Sequence, residues 1–450
     1  MWARLRVGAA VTSALALFMA GVGQAQPAGA PASASAASAP SVSAPAVKPT
    51  ADWPCWRGPY HNGMTASPRK WVTTWPADGP GKLWTAKIGQ GYSSPAVAGG
   101  KVFIGGFGVA KLGGKRDWDT LYCLNADTGE IVWQQALPNS GVNTGTATTP
   151  SVDGNVVYMV SNACGVGAYD IQTGKELWTH DLGQEGVKAV ERRCWSAAPI
   201  VEGNLIILNG GTNGIALDKA TGKVVWKSDA DTAPYMSPVP IDVGGQHLVF
   251  MVTGKSMLAV KPADGTAVFA STRKEISWKV CSPDLFADPV ILGSDVEFSG
   301  TWLTLKDGKV VWNKEGDRKR NLDLGSTCQP ILYNGCIYAP HAYKSFNSKL
   351  EEYGYRCRDW ATGDIRWEQK GVCGQQILAD DKLVILGIDG TLVIVQATPE
   401  KYVELARASV FPGYKDGQRE THCLVAPAFA DGRIYLRKGD TVVCLDLRQK

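Results

Sequence analysis

Short apolar runs and short polar turns alternate along most of the 450-residue chain, and the pattern repeats. From Ser94 onward, an apolar run, a turn rich in Gly, Asp or Asn and a second β-branched run recur eight times, as in SPAVAGGKVFIGG and TPSVDGNVVYMV. Each unit has the pattern of a β-hairpin. The units open on a Pro, or on Gln376 in one case, at positions 95, 150, 199, 238, 283, 330, 376 and 427.

A second hairpin follows within the repeats, as in NADTGEIVW ending at Trp133 and ALDKATGKVVW ending at Trp226, so each repeat has four strands. The eighth repeat ends without a fourth strand, whereas residues 81–88 (GKLWTAKI) carry the same terminal Trp before the first repeat. A sheet completed by both chain ends closes a ring and leaves no exposed edge. We therefore predict an all-β fold, an eight-bladed β-propeller of four-stranded antiparallel blades that strand 81–88 closes by completing the last blade.

A tryptophan recurs near the end of the fourth strand of most repeats. An indole at one fixed position per repeat is typical of packing between blades, because it buries a large apolar surface and offers one N–H donor. We assign this structural role to Trp84, Trp133, Trp178, Trp226, Trp312 and Trp367.

The N-terminus has the features of an export signal. Residues 1–6 contain Arg4 and Arg6, residues 7–22 are apolar, and Gly23 and Ala25 are small residues at a cleavage site. The apolar run is shorter than the roughly 20 residues that cross a bilayer. No Cys lies near the cleavage site, so lipid attachment is not indicated. We predict a signal peptide over 1–25 cleaved after Ala25, a disordered Ala/Pro/Ser-rich linker over 26–50, a single propeller domain over 51–450, and a periplasmic or secreted protein without a transmembrane anchor.

Charge and cysteine content limit the partners. Loss of Arg4 and Arg6 with the leader leaves 44 basic against 42 acidic residues, so a nucleic-acid partner is not indicated. The 11 cysteines include no C-x-x-C pair, and we predict no metal site. Cys123, Cys357 and Cys444 stand where sister repeats have Ala, which predicts buried, reduced thiols. Cys281 and Cys328 share one offset from the repeat Pro, and a disulfide between them is left open.

The loops divide into two sets. Short turns join the first to the second strand and the third to the fourth, on what we call the short-turn face. The long insertions, 105–120, 137–147, 182–194, 315–327, 339–354 and 408–421, share the opposite end, which we call the long-loop face. Long loops on a rigid scaffold are the usual binding surface.

The long-loop face carries basic and aromatic residues near the predicted channel mouth. The candidate ligand-binding residues are Tyr92, Arg192, Arg193, Trp195, Tyr235, Lys279, Gln329, Gln375 and His422. They suit an anionic or hydroxylated small molecule, a saccharide or an envelope protein, although solvated loop charges and ordinary rim aromatics have the same pattern. His422 has no paired carboxylate in the sequence, and we assign no catalytic residue.

Two repeats identify a related family. AYDIQTGKELW (168–178) and ALDKATGKVVW (216–226) resemble the tryptophan-docking motif of the PQQ-like β-propellers, and DWPCWRGP (52–59) is similar to the WPxWRG start of many exported members. The resemblance spans residues 81–450. This family, the quinoprotein alcohol dehydrogenase-like superfamily, includes eight-bladed quinoprotein dehydrogenases and the BamB-type outer-membrane assembly scaffold.

The resemblance implies either a scaffold or an enzyme with a PQQ cofactor. The larger dehydrogenases have adjacent cysteines beside PQQ and a Glu, Asn and Asp set for calcium; this chain has no Cys-Cys pair and no set that matches. The first hypothesis is therefore an exported binding or scaffold propeller. The alternative is a PQQ-dependent alcohol or sugar dehydrogenase, and a polysaccharide-degrading propeller is third.

Overall fold

A computed structural model describes residues 47–450 apart from 78, 108–118, 138–145, 190–196, 230–231, 234–235, 254–255, 273–279, 296–300, 313–328, 342–348, 419, 421 and 450. The predicted signal peptide and most of the linker lie outside these residues. Within the described part, no helix has the length and apolar character needed to span a membrane.

The described secondary structure is almost entirely β. Before the first repeat lie β1 (Met64–Thr65) and β2 (Gly81–Lys87). Repeats 1 to 4 contain β3 (Ala96–Ala98), β4 (Lys101–Phe107), β5 (Asp119–Asn125), β6 (Ile131–Leu137), β7 (Ser151–Asp153), β8 (Val156–Val160), β9 (Gly165–Asp170), β10 (Glu176–Asp181), β11 (Lys188–Ala189), β12 (Ile200–Glu202), β13 (Leu205–Leu208), β14 (Ile215–Asp218), β15 (Val224–Lys227), β16 (Thr232–Ala233), β17 (Val239–Val243), β18 (Gln246–Val252), β19 (Ser256–Val260) and β20 (Ala267–Thr272).

The second half continues in the same way. Repeats 5 to 8 contain β21 (Val280–Ala287), β22 (Val290–Asp295), β23 (Thr301–Lys306), β24 (Lys309–Trp312), β25 (Ile331–Tyr333), β26 (Cys336–His341), β27 (Gly354–Asp359), β28 (Ile365–Lys370), β29 (Gly374–Ala379), β30 (Lys382–Gly387), β31 (Thr391–Gln396), β32 (Glu404–Ser409), β33 (Ala428–Ala430), β34 (Arg433–Lys438) and β35 (Thr441–Asp446). Short 3-10 helices occupy Leu182–Glu185 and Leu350–Glu352.

The strands form antiparallel sheets in the predicted repeat order, and the all-β propeller arrangement is confirmed. The count of eight separate blades is wrong, because the described strands form seven sheets of four or more strands. The difference lies in repeats 4 and 5. Their outer strands β20 and β24 pair in parallel at Ala270 and Lys309, which merges the two repeats into one eight-stranded sheet. This pairing also covers outer backbone groups that would otherwise form free edges.

The two ends of the propeller sequence meet in one sheet. Strand β2 pairs antiparallel with β35, from Gly81 opposite Asp446 to Lys87 opposite Thr441, and joins β33 and β34 in a four-stranded sheet. The first strand of repeat 1, β3, also contacts β33 of repeat 8.

The turns between third and fourth strands follow from their sequence. In repeat 2, the Asp170 carboxylate accepts hydrogen bonds from the backbone N–H groups of Gln172 and Thr173, at 3.0 and 2.8 Å. Gly174 then adopts φ +69°, a left-handed conformation that glycine enters without strain. A Cβ there would lie 2.6 Å from the Trp133 indole of repeat 1. Glycine is therefore required both by the turn and by the neighbouring indole.

Every predicted structural tryptophan with a described side chain contacts the following repeat. Its indole N–H donates to a backbone carbonyl there: Trp84 to Ala126 (3.0 Å), Trp133 to Ile171 (3.1 Å), Trp178 to Lys219 (3.0 Å), Trp226 to Pro262 (2.8 Å) and Trp367 to Thr398 (2.8 Å). The Trp312 side chain lies outside the described part. The core lies between facing sheets, where Phe103 of repeat 1, for example, clusters with Val157 and Tyr169 of repeat 2.

Candidate functional site

The segment before the first repeat covers the short-turn end of several inner strands. Trp53 exchanges two backbone hydrogen bonds with Val97 of β3, both 2.7 Å, and the Pro54 carbonyl accepts one from Val152 of β7 at 2.8 Å. Strand β1 then pairs in parallel with Leu378 and Ala379 of β29. All of these partners lie where the inner strands approach their short turns. The protein therefore closes part of its own short-turn face.

This segment continues onto repeats 7 and 8. The Trp71 indole N–H donates to the Asp380 carboxylate at 2.6 Å, and its ring lies 5.1 Å from that of Phe429. Arg69 pairs with Asp431 at 2.6 Å. The N-terminal segment is thus fixed by side chains as well as by backbone pairing.

Behind the segment lies a small cavity. Arg57 is buried, and its Nη2 donates to the carbonyls of Asn62 and Pro330, at 2.9 and 3.2 Å. The cavity measures about 10 Å³ and is lined by Trp53, Arg57, Ser94, Gln329, Gln376 and Pro427, among others. Its walls come from the N-terminal segment and from repeats 1, 6, 7 and 8, so it lies among the inner strands.

Gln376, which replaces the repeat Pro, organises this cavity. Its side-chain amide donates to the carbonyls of Gln329 and Tyr338, both at 2.8 Å, and its oxygen accepts a hydrogen bond from the Tyr355 hydroxyl. Gln376 and Arg57 were not identified from the sequence as residues of this inner cavity. The departure from Pro at position 376 was the available signal.

The predicted ligand residues are only partly brought together. Tyr92 is 43% exposed on the long-loop face, where its backbone N–H donates to the Thr146 carbonyl at 3.0 Å. Gln329 lines the inner cavity. Gln375 and His422 are buried, and the Tyr414 ring covers His422 at a centroid distance of 5.1 Å. Arg192, Arg193, Trp195, Tyr235 and Lys279 lie outside the described residues.

Beside Tyr92, a buried arginine fixes the junction of repeats 8 and 1. Arg437 is fully buried, and its guanidinium donates to the carbonyls of Gly89, Ser93, Gly105 and Gly439 at 2.5 to 3.1 Å. These contacts hold the backbone on both sides of Tyr92. The exposed aromatic therefore stands on a rigid base.

A histidine paired with a carboxylate lies at the long-loop end of repeat 6. The Nε2 atom of buried His341 is 3.4 Å from Oε1 of Glu368, whose Oε2 accepts a hydrogen bond from Arg356 at 2.8 Å. Burial alone would raise the pKa of Glu368, but Arg356 and His341 outweigh it and hold this pKa below its usual value. A carboxylate-oriented imidazole can hold and transfer a proton. Gly354 makes room for the ring, since a Cβ there would lie 2.1 Å from Nε2.

The cysteines with described side chains are free thiols, and all are buried: Cys55, Cys123, Cys164, Cys336, Cys357, Cys373, Cys423 and Cys444. Burial raises the pKa of Cys123 and of Cys444 to about 12, which disfavours the reactive thiolate. The side chains of Cys194, Cys281 and Cys328 are outside the described part, and so is the disulfide left open between Cys281 and Cys328.

A family model described as "Outer membrane protein assembly factor BamB" matches residues 69–234 and 166–399. The chain belongs to this PQQ-like β-propeller family. The resemblance predicted from the two Trp-ending repeats is thereby confirmed.

The relatives differ in activity. BamB of Shewanella oneidensis is 21% identical over 330 residues, 66% of this chain and 68% of that protein. Tetrathionate hydrolase of Acidithiobacillus ferrooxidans is 25% identical over 272 residues, 49% of this chain. The match spans about half, 52%, of the hydrolase.

Solved structures of two kinds share the fold. BamB from Moraxella catarrhalis has a TM-score of 0.56 at 14% identity and covers 82% of this chain and 100% of its own. A europium-containing methanol dehydrogenase has a TM-score of 0.59 at 14% identity and covers 86% and 89%. At these identities the likeness concerns the fold alone.

Several members of this superfamily use PQQ, a tricyclic quinone with three carboxylates. The cavity among the inner strands has room for roughly one water molecule, far less than PQQ needs. Trp53 and Gln376 are among the residues that line it. The described residues around this cavity therefore do not fit the cofactor. Over the described part of the chain, no group of three or more His, Cys, Asp or Glu side chains is placed to hold a metal ion.

Proposed function

We propose that this protein is an exported PQQ-like propeller that binds a partner through its long-loop face and acts as a binding or scaffold protein. The observation that carries the proposal is the N-terminal segment, which occupies the short-turn end of the inner strands through Trp53, Pro54 and β1. A partner approaching the channel then has the opposite end available. Membership of the BamB family is in line with a scaffold role.

The finer architecture belongs to the same proposal. Repeats 4 and 5 share one eight-stranded sheet, so the eight repeats form seven blades over the described strands, and the pairing of β2 with β35 closes the ring. The inner strands support this, because β21 contacts β25, β25 contacts β29, β29 contacts β33, and β33 contacts β3. The tryptophans dock each blade on the next one through their indole N–H bonds.

The location is the cell envelope. A signal peptide over 1–25 directs export, the linker 26–50 provides reach, and the domain 51–450 carries the binding face. The match to an outer membrane protein assembly factor supports a periplasmic location.

The partner is an envelope protein or another ligand with anionic or hydroxylated groups. Tyr92, Trp195 and Tyr235 supply aromatic contacts, and Arg192, Arg193 and Lys279 supply positive charge. Gln329, Gln375 and His422 support this face from within, since Gln375 and His422 are buried. Exposed charge pairs are screened over about 8 to 10 Å at ordinary salt. Binding through these groups should therefore weaken as salt is added.

Charge replacement tests the proposed face. We expect Arg192→Ala, Arg193→Ala and Lys279→Ala together to weaken binding of an acidic probe, polyglutamate, and to flatten its salt dependence. Lys175→Ala with Lys223→Ala removes charge from the short-turn face and serves as the matched control. If the affinity falls in the control variant and not in the triple variant, binding is on the short-turn face and the proposal is wrong.

The second candidate is a PQQ-dependent alcohol or sugar dehydrogenase, favoured by the fold shared with methanol dehydrogenase. Titration of the purified protein with PQQ and calcium distinguishes the two. The scaffold proposal predicts no stoichiometric change in the quinone absorption spectrum and no alcohol-dependent reduction of an electron acceptor. Saturable binding of one PQQ per chain with such reduction would favour the dehydrogenase.

A further inference from the structure

Side-chain bridges cross the seams between repeats on the short-turn face. Lys219 of repeat 3 pairs with Asp153 of repeat 2 at 2.6 Å, and Arg433 of repeat 8 pairs with Asp127 of repeat 1 at 2.6 Å. Lys and Arg keep their charge throughout the neutral range. These seams are therefore held by bridges that do not respond to ordinary changes of pH.

The seam between repeats 3 and 4 is built differently. His247 of β18 lies opposite Asp242 of β17 in the hairpin register, and its Nδ1 is 2.8 Å from Oδ1 of Asp242. The other ring nitrogen, Nε2, is 2.9 Å from Oε2 of Glu202, the last residue of β12 in repeat 3. One imidazole thus joins carboxylates from two repeats.

This geometry depends on the charge of the ring. An imidazolium has two N–H groups and can donate to both carboxylates, whereas a neutral imidazole has one. After loss of a proton, one nitrogen presents a lone pair to a carboxylate oxygen less than 3 Å away. One of the two bonds must then break, and the bridge between the repeats is lost if it is the bond to Glu202.

We infer that the short-turn seam between repeats 3 and 4 is a pH-sensitive joint, held closed by protonated His247 and loosened when this residue loses its proton. The joint continues into repeat 5, because the backbone N–H of Gly244, in the turn between β17 and β18, donates to the Asp288 carboxylate at 2.9 Å. The same hairpin therefore links three consecutive repeats. Asp242 and Glu202 are the charged groups that act on the ring among the described residues.

The direction of the response follows from the same contacts. Burial alone would lower the pKa of His247, but the hydrogen bonds to Asp242 and Glu202 outweigh it and raise this pKa above its ordinary value. A raised pKa in the folded state means that the stabilisation is complete below the unfolded value of about 6.5. It is lost as the pH rises through the folded value.

A second histidine contact provides a contrast. At the seam between repeats 2 and 3, Glu185 pairs with Lys227 at 2.7 Å and also lies 3.3 Å from His180. Lys227 keeps this bridge whatever the charge on His180. Repeat 3 is therefore joined to repeat 2 by a bridge that does not depend on a histidine charge, and to repeat 4 by one that does.

Hydrogen exchange of the full chain tests the joint. Amide exchange in residues 200–205 and 242–248 is compared below and above the histidine range, after correction for the intrinsic pH dependence of exchange. We expect corrected exchange at this seam to increase severalfold at the higher pH. The amides beside Lys219 and Asp153 should show no such increase.

Two substitutions separate charge from packing. His247→Arg places a permanent cation at the seam and should keep the slow exchange at both pH values, whereas His247→Gln should show fast exchange at both. Asp242→Asn is a milder third variant, since the Asp242 side chain is 79% exposed, and should reduce the pH response without loss of the fold. A wild-type seam whose corrected exchange is independent of pH, or a His247→Gln variant with the wild-type response, would overturn the inference.

Discussion

The two faces of the propeller use the same repeats for different purposes. On the short-turn face, the turn from Asp170 to Gly174 packs against the indole of the preceding repeat. Residues 53–71 lie over the inner strands and over repeats 7 and 8. On the long-loop face, Tyr92 projects into solvent from a backbone that buried Arg437 holds in place. The repeat consensus thus builds the turns of the short-turn face, which a segment from outside the repeats covers in part, whereas Tyr92 on the long-loop face stays exposed.

The largest expected effect concerns the strand that joins both chain ends. Deletion of residues 81–88 removes β2 and exposes the edge of β35, and we expect aggregation or loss of cooperative unfolding. Deletion of residues 26–50 should leave the thermal unfolding midpoint almost unchanged. Equal behaviour of the two truncations, measured by light scattering and thermal melts, would rule out closure of the ring by this strand.

Next in size are the tryptophans on the short-turn side of the repeats. Trp178→Ala and Trp226→Ala should each lower the free energy of unfolding by about 3 to 5 kcal/mol, because each removes a large packed side chain. Val225, beside Trp226, is 49% exposed, so Val225→Ala is the control and should cost about 0.5 kcal/mol or less. If chemical denaturation shows that neither Trp variant lowers the free energy of unfolding, these tryptophans do not dock one repeat on the next.

A smaller effect is expected at the small cavity among the inner strands. Gln376→Ala leaves the carbonyls of Gln329 and Tyr338 and the Tyr355 hydroxyl without this partner, at a cost of about 1 to 3 kcal/mol. Gln172→Ala removes an exposed contact to Lys101 and should cost much less. Equal costs in urea unfolding would argue against a buried hydrogen-bond network around Gln376.

The smallest effect is expected from thiol reagents. Cys123, Cys357 and Cys444 are fully buried, and the pKa of each thiol is raised, for Cys357 chiefly through a hydrogen bond with Cys336 and then through burial. We expect all three to remain unmodified in the native protein and to react only after unfolding. Mass-spectrometric mapping that finds any of them in a native disulfide would contradict the strand register.

Repetition explains how much of the fold the sequence predicts. The eighth repeat lacks a fourth strand, and residues 81–88 carry the terminal Trp of such a strand, which predicts that they join the last sheet. In the structure β2 pairs with β35 over residues 81–87. The parallel contact of Ala270 with Lys309 could not be predicted, since it is a single backbone pairing without a side-chain pattern. The same holds for Met64 and Thr65, which add to β29 through their main chain.

The candidate site was less predictable. His341 and Glu368 are 27 positions apart in the sequence and meet only because β27 lies between their strands and Gly354 leaves space for the ring. His422, which its offset from a repeat Pro predicts near the channel mouth, is buried, and the ring of Tyr414 from the same connecting loop lies over it. An offset within a repeat predicts the position of a backbone better than the exposure of its side chain.

Photo-crosslinking in the cell envelope tests most directly whether the long-loop face is the binding face. A benzophenone amino acid replaces Tyr92 on that face in one variant and Lys175 on the short-turn face in the other, at equal expression. The account predicts a discrete adduct with an envelope component from position 92 and none from position 175. An adduct from position 175 together with none from position 92 would contradict it.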